Sequence, residues 1–172
     1  MPIIPQPLQS VYPSETVESK NSAPTQLKFA KEHDVRVEKY ALDYLGNQDV
    51  GLINLSIEDA NIDLASVGVS EESYELRVRD SSIEISAGTT WGAIRGLATL
   101  WQAAKQGSLN PGLSIRDEPR FLWRGLMLDV ARHFIPLKTL RETVDRMSLL
   151  KLNVLHLHLS DDQGFRFGSK KY

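Results

Sequence analysis

The feature that most constrains this chain lies between residues 124 and 160. "RGLMLDVAR" is a near-continuous apolar run, short enough for a strand. "PLKTLRETVDRMSLLK" follows, with Leu137, Leu140, Val144 and Met147 on one helical face and Pro136 suited to a first turn. "LNVLHLHLS" is a second apolar strand. Strand, helix and strand in this order make a βαβ unit. Strands apolar on both faces belong to a parallel sheet that is covered on both sides.

The second strand carries chemistry. Alternation places His156, His158 and Ser160 on one face and Leu155, Leu157 and Leu159 on the other. Asp161 and Asp162 follow at its C-terminal end, and the first strand ends in Asp129, Arg132 and His133. In a βα barrel, functional groups come from the C-terminal ends of strands. Arg132, His133, His158, Asp161 and Asp162 are therefore candidates to converge across two neighbouring strand ends. Three readings follow. The histidines can be structural, hydrogen-bonded to carboxylates. They can be metal ligands of a barrel hydrolase using His156 and His158, although zinc catalysis takes at least three protein ligands and the only other histidines are His33 and His133. Or the planar arginine and a carboxylate can hold vicinal hydroxyls of a sugar.

Upstream, the period is different. In "YELRVR", Tyr74, Leu76 and Val78 face one way and Glu75, Arg77 and Arg79 the other; "SIEISA" repeats the alternation with Ile83 and Ile85. Asp80, Ser81 and Ser82 between them predict a β-hairpin. "GLINLSI" at 51–57 and "NIDLASV" at 61–67 are further strand candidates. From Trp91 the spacing of Ile94, Leu97, Ala98, Trp101 and Ala104 is helical, with Thr89 or Thr90 as cap and Gly107 as terminator. Trp91 and Trp101 are expected to pack on the sheet. Residues 1–26, with five prolines, read as an irregular lead-in. The expected organisation is that lead-in, a small α+β domain over 27–115 with an antiparallel sheet and a helix, and a βα portion over 116–172. "NPGLSIRDEPRF" at 110–121 is the connector.

Composition excludes several classes. The 172 residues carry 41% hydrophobic and 24% charged residues and a net charge of −2, which favours neither nucleic acid nor an anionic membrane. Without cysteine there are no disulfides or thiolate sites. No apolar run approaches the roughly 18–20 residues of a membrane span, and "MPIIPQPLQS" is not a signal peptide. The protein is then cytoplasmic, or a signal was removed before this numbering begins.

Residues 123–167, "WRGLMLDVARHFIPLKTLRETVDRMSLLKLNVLHLHLSDDQGFRF", resemble the start of the catalytic barrel of the family 20 glycoside hydrolases, the β-N-acetylhexosaminidases. The family pattern runs R-G-hydrophobic-D-x-(S/A)-R-H-(F/Y), a helix, then K-(L/M)-N-x-(L/F)-H-x-H-L-x-D-D. "GTTWGAIRGLATLWQ" and "IRDEPRF" are similar to the family's small domain and its link to the barrel. The resemblance implies the opening of a truncated TIM (β/α)8 barrel. It implies removal of terminal N-acetylglucosamine or N-acetylgalactosamine from glycans or chito-oligosaccharides, by a substrate-assisted, retaining mechanism. It implies no cofactor, and a periplasmic or extracellular setting.

By the same resemblance Arg132 binds ring hydroxyls and Asp161 is a pocket acid that pairs with a histidine from a later strand region, beyond these residues. His158, Asp162 and His133 support the pocket. Arg124 and Asp129 stabilise strand ends, and His156 is a core residue. The family's catalytic Asp-Glu pair lies on a later strand; Asp117-Glu118, in the connector, is expected to be structural. The sequence therefore reads as an N-terminal portion of the enzyme, inactive alone and with an apolar sheet left open. A non-catalytic α+β interaction module is the remaining alternative.

Overall fold

The computed structural model describes residues 5–12, 23–60 and 71–168. The chain divides into two compact units, Met1–Leu122 and Trp123–Tyr172.

In the first unit, β4 (Tyr74–Val78) and β5 (Ser82–Thr89) form the expected hairpin. Tyr74 pairs with Ala87 and Val78 with Ile83, and the Arg79 N–H closes the turn on the Ser82 carbonyl at 2.8 Å. Tyr74, Leu76 and Val78 are buried, as alternation requires. Around this hairpin lie β1 (Gln9–Val11), β2 (Ala23–Phe29), β3 (Val50–Asp59) and β6 (Ser114–Asp117), in the sheet order β1-β6-β4-β5-β3-β2.

The sheet is mixed, which corrects the antiparallel expectation. β3 runs parallel to β5, and β2 runs parallel to β3. For β2 and β3 the reason is helix α1 (Val35–Leu45), which the sequence reading missed. It connects β2 to β3 as a crossover, and a crossover returns the chain in the same direction. Helix α2 (Thr90–Lys105) packs on β3, β4 and β5. The Thr89 hydroxyl accepts the Gly92 N–H at 3.2 Å, and Gly107 ends the helix at φ +64°. Leu76, Ile85, Ile53 and Leu55 from the sheet meet Leu97 and Leu100 of α2 and Val37, Ala41 and Leu45 of α1 in one core; Trp91 and Trp101 pack against it.

Two further expectations change. The 1–26 lead-in is not irregular throughout, because Gln9–Val11 pairs with β6 and β2 begins at Ala23. Its approach is fixed by the Leu8 N–H, which donates to Asp117 Oδ1 at 3.1 Å. The connector is half strand: β6 pairs with β4 and buries Ile115 completely, so the unit boundary falls at 122/123 and not at 115/116. The strand expected at 61–67 lies outside the described residues.

In the second unit, β7 (Gly125–Asp129) and β8 (Val154–His158) are parallel, joined by α3 (Leu137–Leu149). Of the four residues expected on the inner face of α3, Met147 is buried, while Leu137 and Val144 are exposed. At the N-terminal strand ends, the Arg124 N–H donates to Asn153 Oδ1 and the Asn153 N–H to the Arg124 carbonyl, both at 2.9 Å. A short hairpin, β9 (Ser160–Asp161) with β10 (Gly164–Phe165), follows β8.

Candidate functional site

The register of β7 and β8 sets Asp129 opposite His158, so the two strands end side by side. Beyond Asp129 the chain turns at once. Asp129 Oδ1 accepts the N–H groups of Ala131 at 3.1 Å and Arg132 at 3.0 Å. This is the local turn that Asp favours, its side chain standing in for a backbone acceptor. The N–H groups of Val130 and Ala131 both donate to the His158 carbonyl at 3.2 Å, tying the turn to β8. Arg166 supports it from β10's end, its Nε donating to the Val130 carbonyl at 2.8 Å and its Nη2 to the Ala131 carbonyl at 3.1 Å.

The turn folds Arg132 back over the strand ends. Its Nε lies 2.7 Å from Asp129 Oδ2, and its Nη2 lies 3.0 Å from Asp161 Oδ2. The same Asp161 oxygen is 2.8 Å from His158 Nε2, and Asp161 Oδ1 accepts the Asp162 N–H at 2.8 Å. A chain of contacts therefore runs from His158 through Asp161 and Arg132 to Asp129, at the C-terminal rim of two parallel strands.

The electrostatics follow from these bonds. The Asp162 N–H, then the His158 ring and the Arg132 charge, hold the Asp161 carboxyl down to about 2. Asp129 is also lowered, first by the Arg132 N–H, against the opposing effect of burial, and then by the Arg132 and His158 charges. Both acids are ionised across the neutral range. Between them sits a guanidinium still half exposed. A planar fork fixed by two carboxylates is suited to directional hydrogen bonds with adjacent hydroxyls.

Of the expected site residues, Arg132, His158 and Asp161 come together. Asp162 contributes its backbone N–H, while its side chain is exposed. His133 is exposed beyond the turn. His156 lies two residues back along β8, opposite Met127, and is exposed rather than a core residue. Among the described residues, no three His, Cys, Asp or Glu side chains gather to hold a metal. Asp129 does more than stabilise the strand end, and the signal for this is its three-residue spacing to Arg132 across a turn. The sequence reading gives Arg166 no role.

Asp117 is a buried strut of the first unit. Besides the Leu8 N–H, it accepts the Tyr74 hydroxyl at 3.0 Å, and Tyr74 also meets Thr99. Burial, and then the Asp117 charge, pushes the Tyr74 phenol far up, so it stays a donor.

Comparison with known proteins bears on both units. Residues 121–172 match the family model described as glycosyl hydrolase family 20, catalytic domain, and residues 8–103 match the model described as beta-acetyl hexosaminidase like. The beta-hexosaminidase subunit beta of Mus musculus is 38% identical over 125 residues, covering 70% of this chain and 23% of that protein. The beta-N-acetylhexosaminidase of Cellulomonas fimi is 43% identical over 100 residues, covering 56% and 20%. The solved chitobiase of Flavobacterium johnsoniae superposes with a TM-score of 0.78 at 28% identity, covering 98% of this chain and 28% of that one. The chain spans about a fifth of the length of the curated relatives it matches.

Proposed function

The chain belongs to glycosyl hydrolase family 20, and from that we propose that it supplies the small α+β domain and the first two barrel strands of a β-N-acetylhexosaminidase. The substrate is a glycan or chito-oligosaccharide with N-acetylglucosamine or N-acetylgalactosamine at its non-reducing end. The observation that carries this reading is the Arg132–Asp161 contact of 3.0 Å at the C-terminal ends of neighbouring parallel strands. Barrel enzymes assemble their sites at that end.

The sugar's own acetamido oxygen attacks its anomeric carbon, with retention of configuration. Arg132 grips the ring hydroxyls and Asp161 fixes Arg132, so that the ring is held while that bond forms. Protonation of the leaving oxygen requires an acid that these residues do not provide. The sole Asp-Glu pair in the sequence is Asp117-Glu118, and Asp117 is buried in the sheet of the first unit.

The test uses the 172-residue chain. It is expected to release no chromophore from a p-nitrophenyl N-acetylglucosaminide above background, yet to bind N-acetylglucosamine weakly in ligand-observed NMR, with Arg132→Ala abolishing the signal. Hydrolysis by the chain would show that it contains an acid able to protonate the leaving oxygen. Binding that survives Arg132→Ala would remove the rim from the site.

A further inference from the structure

Resting on that sugar-binding reading, we infer that Asp129 is a positioning and specificity-determining residue: it aims the Arg132 fork and offsets its charge, so that the rim takes neutral vicinal hydroxyls and rejects an anionic sugar.

The geometry supports this at each atom. Asp129 Oδ1 is occupied by two backbone N–H groups, and Oδ2 stands 2.7 Å from Arg132 Nε. Both oxygens are thus engaged within the protein, and Asp129 acts through Arg132. On Arg132, Nε is turned to Asp129 and Nη2 to Asp161. Among the described residues, Nη1 has no ionic partner, and the guanidinium is 55% exposed. With two of its three nitrogens turned inward, the remaining edge has one direction in which to donate.

Charge then decides what it accepts. An unaccompanied arginine prefers carboxylates and phosphates, which match its fork in shape and sign. Here two carboxylates meet the Arg132 guanidinium directly, at 2.7 and 3.0 Å, while the other guanidinium at the turn, that of Arg166, is engaged by the Val130 and Ala131 carbonyls. A neutral hydroxyl pair gains the hydrogen bonds without repulsion. A uronate brings a like charge against Asp129 and Asp161 and is disfavoured.

Two variants separate aim from fold. Asp129→Asn keeps an oxygen for the turn and removes the negative charge; Asp129→Ser keeps a turn-capping oxygen and removes the acceptor facing Arg132. N-acetylglucosamine is the neutral probe and D-glucuronate the anionic one, titrated against the 172-residue chain by NMR. The native chain is expected to prefer the neutral sugar. In both variants the preference ratio falls about tenfold, the scale of one charge-assisted hydrogen bond, with neutral binding weakened and uronate binding strengthened. A structural role alone would weaken both probes together, and an unchanged ratio in either folded variant overturns the inference. Solvent exchange of the Arg132 Nε–H gives a reading independent of sugar: slow in the native chain, fast in both variants. Equal exchange rates would overturn the positioning role. If the native chain shows slow exchange that the variants lose, yet binds neither sugar, the positioning stands and the sugar-binding reading fails.

Discussion

A single buried carboxylate, Asp34, holds the starts of two helices. Its Oδ1 accepts the Arg36 N–H at 2.8 Å as the cap of α1 and the Arg36 Nε at 3.0 Å. Its Oδ2 accepts the Arg36 Nη2 at 2.8 Å and the Thr90 hydroxyl at the first residue of α2. Burial raises the pKa of this acid, but the Arg36 and Thr90 hydrogen bonds outweigh it and bring the carboxyl from 3.8 down to about 2. A group whose pKa falls on folding stabilises the fold above its unfolded value. That contribution disappears as pH drops from about 4 toward 2. It amounts to roughly 1–2 kcal/mol, since Arg36 is partly solvated and screening trims the full shift. Urea unfolding followed from pH 7 to pH 2.5 is expected to show the acid limb in the native chain and a limb shallower by that amount in Asp34→Asn. The cap oxygen of Asn keeps α1 started, so the comparison isolates the charge. Equal slopes in the two proteins would mean that Asp34 is not the proton-linked group.

At the scale of elements, α2 shows how close a helix can come to a sheet. A Cβ on Gly92 would strike the Ser73 carbonyl oxygen, and one on Gly96 would lie 2.8 Å from Ile85 Cγ2. Helix propensity favours Gly→Ala by about 1 kcal/mol, whereas forcing atoms into a packed interior costs about 1–3 kcal/mol. For Gly92 the obstacle is backbone, which cannot swing aside, so sterics win. Gly92→Ala is expected to lower the thermal midpoint of the chain, and a raised midpoint would show that α2 can slide outward. The hairpin and α2 were legible in the sequence because their periods, two and 3.6, run unbroken. Helix α1 was not, because its buried stripe is only Val37, Ala41 and Leu45, set among Arg36, Glu38, Lys39 and Asp43. Missing α1 concealed the parallel pairing of β2 with β3 as well, since nothing in the alternation of either strand states which way a neighbour runs. The rim was legible for a different reason. A strand's end fixes where its next residues project, so Arg132 and Asp161 could be placed together from two strands alone. Arg166 could not, because its partners are backbone carbonyls that carry no sequence signature.

For the molecule as a whole, the two units differ in what holds them. The first has a continuous core running from Val37 to Ile115 across sheet and helices. In the second, the buried hydrophobic residues among those described are Val130, Ala131 and Met147, while Met127, Leu137, Val144 and Phe165 are exposed. Burial of apolar area is the main favourable term in folding, and small pieces remove too little of it from water to offset chain entropy. Residues 1–122 produced alone are therefore expected to melt in one cooperative transition, monitored by the near-ultraviolet circular dichroism of Trp91 and Trp101. Residues 123–172 alone are expected to show no transition and to bind a dye for exposed apolar surface. The rim would then be lost with the strands that carry it, because Asp129 and His158 are brought level only by the β7–β8 register. A sharp melt of 123–172, with the Trp123 signal lost in step, would mean instead that the turn at Asp129 and the Arg124–Asn153 bonds at the far end suffice to hold two parallel strands. In that case the rim is set by local hydrogen bonding, and its geometry does not depend on apolar burial.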